Sequence, residues 1–108
     1  MGYIQFEEFK KIDVRVGSVI TAERLENTNK LMKLIVNIGQ EERQIIAGIA
    51  NNYTPEELIG KKLMVVVNLE PKIFKGLESR GMILAADWEN EVAVIFVDDK
   101  VPVGTRVV

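Results

Sequence analysis

The 108-residue chain contains no cysteine and no histidine. Lack of cysteine rules out a disulfide framework and thiolate-bound metal. Lack of histidine rules out an imidazole general base, a Ser-His-Asp triad and His-ligated zinc. Together these absences remove the working parts of most hydrolases. Proline is sparse, at 3 residues, and aromatics make up only 6% of the chain, so any stacking on bases must use very few side chains. Every apolar run falls far short of the roughly 20 residues that cross a bilayer as a helix. The N-terminal MGYIQFEEFKK lacks the basic stretch and long apolar run of a signal peptide. The expectation is a soluble cytoplasmic protein without membrane contact. No acidic run has EF-hand spacing, and Gly60-Lys61 lacks the surrounding residues of a phosphate loop. No metal, cofactor or catalytic residue is expected.

What is present is a chain long enough for one core, read as a single domain over residues 1–108. The formal net charge is −2, unevenly spread. Residues 1–80 carry 12 basic and 11 acidic side chains, residues 81–108 carry 2 and 5, and the stretch 61–80 carries 5 and 2. An acidic protein with one local basic excess binds an anionic partner through a patch rather than through its overall field.

The pattern along the chain is that of short strands. Phe6–Lys11 reads as a short helix or turn, and Ile12 to Val19 as a first strand bent at Gly17. Ala22–Thr28 reads as a loop, Leu31 to Ile38 as a second strand, and Gly39-Gln40-Glu41 as a tight hairpin. Arg43–Ile49 forms a third strand. Thr54-Pro55-Glu56-Glu57 is a capping box with proline at the first helical position, so a small helix ends at Gly60. Leu63–Val67 is a central apolar strand, and Met82–Ala86 and Val92–Val97 are two more, joined by a turn at Asp87–Glu91. Thr105–Val108 adds a short edge strand. Curvature glycines and one small helix between the third and fourth strands predict an all-β, five-stranded oligonucleotide-binding barrel. A sandwich or small SH3-like barrel satisfies the same pattern.

The basic excess concentrates in the polar segment between Asn68 and Ala86, where Lys72, Lys75 and Arg80 lie between two apolar strands. Lysine supplies a point charge for phosphate, and arginine a fork that grips phosphate or stacks on a base. Ser79 offers a hydroxyl, Asn68 an amide able to read a base edge, and Phe74 a ring between two lysines. Met82 begins the next strand. Lys30 precedes the second strand near the same barrel rim, with Lys33 and Arg43 extending the patch. A solvated connection, an amide bonded to its own turn and a ring folded into the core are the plain alternatives. Glu70 and Glu78 flank the basic segment and read as its ion-pair partners. Tyr3, Ile4, Phe6 and Phe9 at one end, and Val101, Val103 and Val107 at the other, are apolar enough for a two-fold interface or for covering their own barrel.

Three ordered blocks carry a family resemblance: VRVGSVITAERLENTNKL, RQIIAGIANNYTPEELIGKKLMVVVNLEP and GLESRGMILAA. They closely resemble the tRNA-binding domain family. That family includes the C-terminal domain of methionyl-tRNA synthetases, free-standing tRNA-binding proteins and CsaA-like secretion chaperones. The match spans about residues 6–98. The resemblance implies a barrel preceded by a short helix, forming a homodimer when it stands alone. It further implies a non-catalytic, structure-specific tRNA binder that serves methionyl-tRNA synthetase in cis or in trans, with a CsaA-like peptide-binding chaperone as the alternative. It assigns RNA contact to Lys30, Asn68, Lys72, Ser79 and Met82, with Arg80 beside them. The chain departs from the family at Leu25-Glu26 and Thr28-Asn29, where His-Pro and Ala-Asp are usual.

Overall fold

The computed structural model describes residues 2–108; Met1 lies outside the described residues. A short helix α1 (Phe6–Lys10) precedes the long strand β1 (Val14–Arg24). β2 (Met32–Asn37) and β3 (Glu42–Ala47) follow, then helix α2 (Pro55–Leu58) and β4 (Lys62–Val66). The chain continues through β5 (Lys72–Phe74), β6 (Leu77–Ser79), β7 (Met82–Ile83), β8 (Ala85–Trp88), β9 (Glu91–Val94) and β10 (Arg106–Val107). The central sheet has the order β3-β2-β1-β4-β7, with β10 added against β1. Its ends approach each other where β6 and β7 meet β3, giving the nearly closed five-stranded barrel expected of an oligonucleotide-binding fold.

The strand β1 joins the two halves. It pairs with β4 through Val14–Ser18 and with β2 through Ser18–Arg24. The bend lies at the register shift between Val19 and Thr21, a bulge that increases local twist, and not at Gly17. Gly17 is required for another reason. A Cβ there would lie 2.5 Å from Val36 Cγ1 and 3.1 Å from Val65 Cγ2, so the glycine lets two strands' side chains meet over it. β1 runs through Arg24, converting part of the expected Ala22–Thr28 loop into strand, because pairing with β2 extends to Arg24↔Met32.

Alternation on β2 turns Met32, Leu34 and Val36 inward, where they are fully buried with Ile45, Leu63 and Val65. α2 closes one end of this core with Leu58. Its capping box forms as expected: Thr54 N–H donates to Glu57 Oε1 at 2.8 Å, and Glu57 N–H donates to Thr54 Oγ1 at 3.3 Å. The stretch 82–97 splits into β7 and the hairpin β8–β9. That hairpin turns on Glu89-Asn90, both at positive φ, as two-residue hairpin turns need. The C-terminal tail lies on its own barrel: Val16 N–H donates to Thr105 O (2.9 Å) and Gly104 N–H to Val16 O (2.8 Å). Lys62 Nζ holds the same tail through Asp99 O and Val101 O, both at 2.6 Å.

Candidate nucleic-acid interface

The basic segment is not an open loop. Lys72–Phe74 and Leu77–Ser79 pair as a hairpin, in the register Lys72↔Ser79 and Phe74↔Leu77. Lys75 and Gly76 form its two-residue turn, with φ of 51° and 80°. Such turns suit the twist of the flanking strands and demand positive φ, which glycine takes without cost. Because β-strand side chains alternate, Lys72, Phe74, Leu77 and Ser79 share one face of the hairpin, and Ile73 and Glu78 share the other.

The hairpin lies along the edge of β3 that is not paired with β2. Arg80 N–H donates to Gln44 O (2.8 Å), the Gln44 amide donates to Glu78 O (3.0 Å), and Ile46 N–H donates to Ser79 Oγ (3.0 Å). Ser79 is 3% exposed and its hydroxyl donates onward to Gly81 O at 3.1 Å. It joins the hairpin to the barrel at the base of the face it shares with Lys72, Phe74 and Leu77, and is itself covered. These antiparallel contacts direct the Lys75-Gly76 turn toward the C-terminal end of β3. Lys30 stands at that same end, since its carbonyl accepts from Ala50 N–H at 2.9 Å. Leu25–Lys30, the segment that departs from the family pattern, is ordered by Thr28, whose Oγ1 accepts from Lys30 N–H (3.2 Å) and Leu31 N–H (2.9 Å).

The cations differ in their surroundings. Among the described residues, Lys30, Lys72 and Lys75 are exposed and take part in no ion pair. The Lys72 ammonium lies 5.3 Å from the centroid of the half-buried Phe74 ring. Lys33 faces outward from β2 opposite Ile46, and its ammonium lies 2.8 Å from Glu23 on β1. Arg80 is at the far end of the same strip, 3.8 Å from Glu41. Glu41 also pairs with Arg43 at 3.1 Å, and Arg43 donates to Val67 O and Arg80 O at 3.0 Å each. Arg43 therefore helps close the barrel, and Glu41 offsets two guanidiniums at once.

Two candidates point elsewhere. Met82 lies on β7 beside Val66 of β4, half exposed on the outer side of that pair. Asn68 is exposed, but both ends of its amide are engaged by the N-terminal segment: Oδ1 accepts from Asp13 N–H (2.8 Å) and Nδ2 donates to Lys11 O (2.6 Å). Glu70 and Glu78 form no ion pair with the hairpin cations among the described residues. Gln44 and Glu41, which no motif singled out, anchor the hairpin base. Gln44 is a partly exposed polar residue directly before the buried run Ile45–Ala47, and this is the one trace of its role in the sequence. The described residues contain no cluster of three or more metal-ligating side chains.

A barrel with a cationic rim formed by a hairpin and a facing loop is the geometry on which oligonucleotide-binding folds hold nucleic acid. Residues 14–106 match the model of the tRNA binding domain family. The chain belongs to that family. It is 50% identical over 104 residues to the methionine–tRNA ligase of Archaeoglobus fulgidus, covering 96% of this chain and 16% of the ligase. The chain thus spans about a sixth of the length of the curated relatives it matches. Among solved structures it is similar to a MetRS related protein from Pyrococcus horikoshii, at 50% identity and a TM-score of 0.94, with 99% of each chain covered. It is also similar to chaperone CsaA from Bacillus anthracis, at 29% identity and a TM-score of 0.90, covering 99% of this chain and 100% of that one. The family is one of binding domains, and no helix among the described residues is long and apolar enough to cross a membrane.

Proposed function

We propose that this chain is a non-catalytic, structure-specific tRNA binder that acts in the cytoplasm as a homodimer and serves a methionyl-tRNA synthetase in cis or in trans. The observation that carries the reading is the set of unpaired cations Lys30, Lys72 and Lys75 on one rim of a barrel of the tRNA binding domain family. The identity to a methionine–tRNA ligase supports the synthetase connection. In this reading Lys30, Lys72, Lys75 and Arg80 meet phosphates, Lys33 joins them when a phosphate displaces Glu23, and Phe74 meets a base or ribose. Ser79 shapes the rim from beneath, while Met82 borders it from β7. The two-fold interface is supported by the exposure of Tyr3 (103%), Ile4 (71%), Phe6 (65%) and Phe9 (51%). Val101, Val103 and Val107 are half-buried on their own barrel and would contribute edges only.

Gel shift with tRNA, tRNA with its outer corner disrupted, and duplex RNA tests this function. The reading expects tightest binding to intact tRNA. Equal failure with all three at low salt would defeat it. A second reading, peptide binding, has its own support in the likeness to chaperone CsaA and in exposed Leu69, Ile73 and Met82 near the rim. Calorimetry with unfolded apolar peptides separates the two, since the tRNA reading expects no heat beyond dilution.

A further inference from the structure

Helix α1 has little to hold it in place. It is five residues long, buries no side chain, and its N-cap Gln5 makes no side-chain cap bond. A helix this short does not persist by its own hydrogen bonds. Its orientation is therefore set by the segment that joins it to β1. There Val67 N–H donates to Asp13 O (2.9 Å), extending the β1–β4 ladder by one step beyond the strands. The next step is made by a side chain. Asn68 Oδ1 accepts from Asp13 N–H and Asn68 Nδ2 donates to Lys11 O, as a peptide group would. Two further ties hold the connection: Arg106 donates to Lys10 O at 3.3 Å, and Arg15 Nε donates to Asp13 Oδ1 at 2.7 Å.

We propose that Asn68 is a positioning residue: it fixes the angle at which α1 leaves the barrel, and so presents Phe6 and Phe9 to a second copy of this chain. The inference rests on the two-fold assembly proposed above. It removes Asn68 from the RNA contacts, although the residue lies only four positions before Lys72, where the hairpin begins. An amide is suited to the task because it donates and accepts at once. Alanine does neither, and loosens the attachment of α1 without touching the cationic rim.

The test compares the full chain with its Asn68→Ala variant by sedimentation equilibrium, backbone hydrogen exchange and tRNA titration. Two hydrogen bonds lost per protomer, four across the dimer, should raise the dimer dissociation constant about ten-fold or more. Exchange should accelerate at Lys11–Asp13 and in α1 but not in β1–β4, and tRNA affinity measured above the dimer dissociation constant should equal that of the unaltered chain. An Asn68→Ala dimer of unchanged strength, with unchanged exchange at Asp13 and weakened tRNA binding, would overturn the proposal and return Asn68 to the RNA face. An unaltered chain that stays monomeric at all concentrations would overturn the assembly. Loss of Asp13 protection in the variant would still support the tie. Should Asn68→Ala not fold, exchange in the unaltered chain decides: an Asp13 amide as slow as those of β1 supports the tie, and one as fast as Tyr3 and Ile4 overturns it.

Discussion

Lys72 and Lys75 occupy different positions on the same hairpin, and their contributions should separate accordingly. Lys72 sits over the Phe74 ring, so its charge is held near a surface on which a base or ribose can rest. Lys75 occupies the exposed turn and offers only a charge. Replacing either with alanine should weaken tRNA binding, and should lower the slope of log affinity against log salt by about 0.7–0.9. Phe74→Ala should weaken binding by about 1–3 kcal/mol while leaving that slope unchanged. A slope unchanged in both lysine variants would remove the hairpin from the phosphate contacts. Glu41 predicts the opposite sign. It offsets Arg80 at 3.8 Å as well as Arg43, so a phosphate arriving at Arg80 meets a carboxylate already there. Glu41→Gln should tighten tRNA binding about 1.4- to five-fold, the equivalent of the ~0.2–1 kcal/mol of an exposed ion pair. In an Arg80→Met background the gain should vanish. Titration of the four proteins at one salt concentration checks it.

At the scale of elements, the hairpin β5–β6 is held to β3 by three hydrogen bonds: the Ser79 hydroxyl accepts from Ile46 N–H, the Gln44 amide donates to Glu78 O, and Arg80 N–H donates to Gln44 O. Ser79→Ala would leave the Ile46 N–H buried without an acceptor, at a cost of about 1–3 kcal/mol, read as a fall in the thermal midpoint. Gly17→Ala should also destabilise, by about 1–3 kcal/mol, because its Cβ would overlap the Val36 side chain and force the core apart. Unchanged midpoints would contradict the packing described for either site. The same elements explain what was legible in the sequence. Alternation on β2, the capping box at Thr54 and the apolar run at Leu63–Val67 are local signals, and each became the expected element, the last as β4 over Lys62–Val66. The hairpin nature of 72–79 was hidden because Lys75-Gly76 is a weaker turn signal than Asn-Gly, and because Lys72 and Glu78 read as polar loop. The bulge at Val19–Thr21 left no mark, since it is set by β1 changing partners from β4 to β2. Ser79 and Asn68 were legible as polar groups in a motif, but the direction of their hydrogen bonds depends on residues 33 and 55 positions away.

For the molecule as a whole, the distribution of charge matters more than its total. A net charge of −2 discourages indiscriminate RNA binding, and the acidic excess of residues 81–108 lies outside the hairpin and loop that form the rim. Affinity must then come from several cations meeting phosphates that are already arranged to fit them. Two copies joined through the exposed N-terminal aromatics would double that requirement and favour a folded RNA over an extended one. Phe6→Ser combined with Phe9→Ser should yield a monomer by light scattering, with an intact fold and weaker tRNA binding. The most direct measurement of the central claim is a competition titration at fixed salt, in which labelled tRNA is displaced by unlabelled tRNA, by tRNA with its outer corner disrupted, or by duplex RNA of equal length. The account predicts displacement by intact tRNA at the lowest concentration, with the two altered competitors clearly weaker. Equal displacement by all three would mean that the rim reads charge alone, and would contradict it.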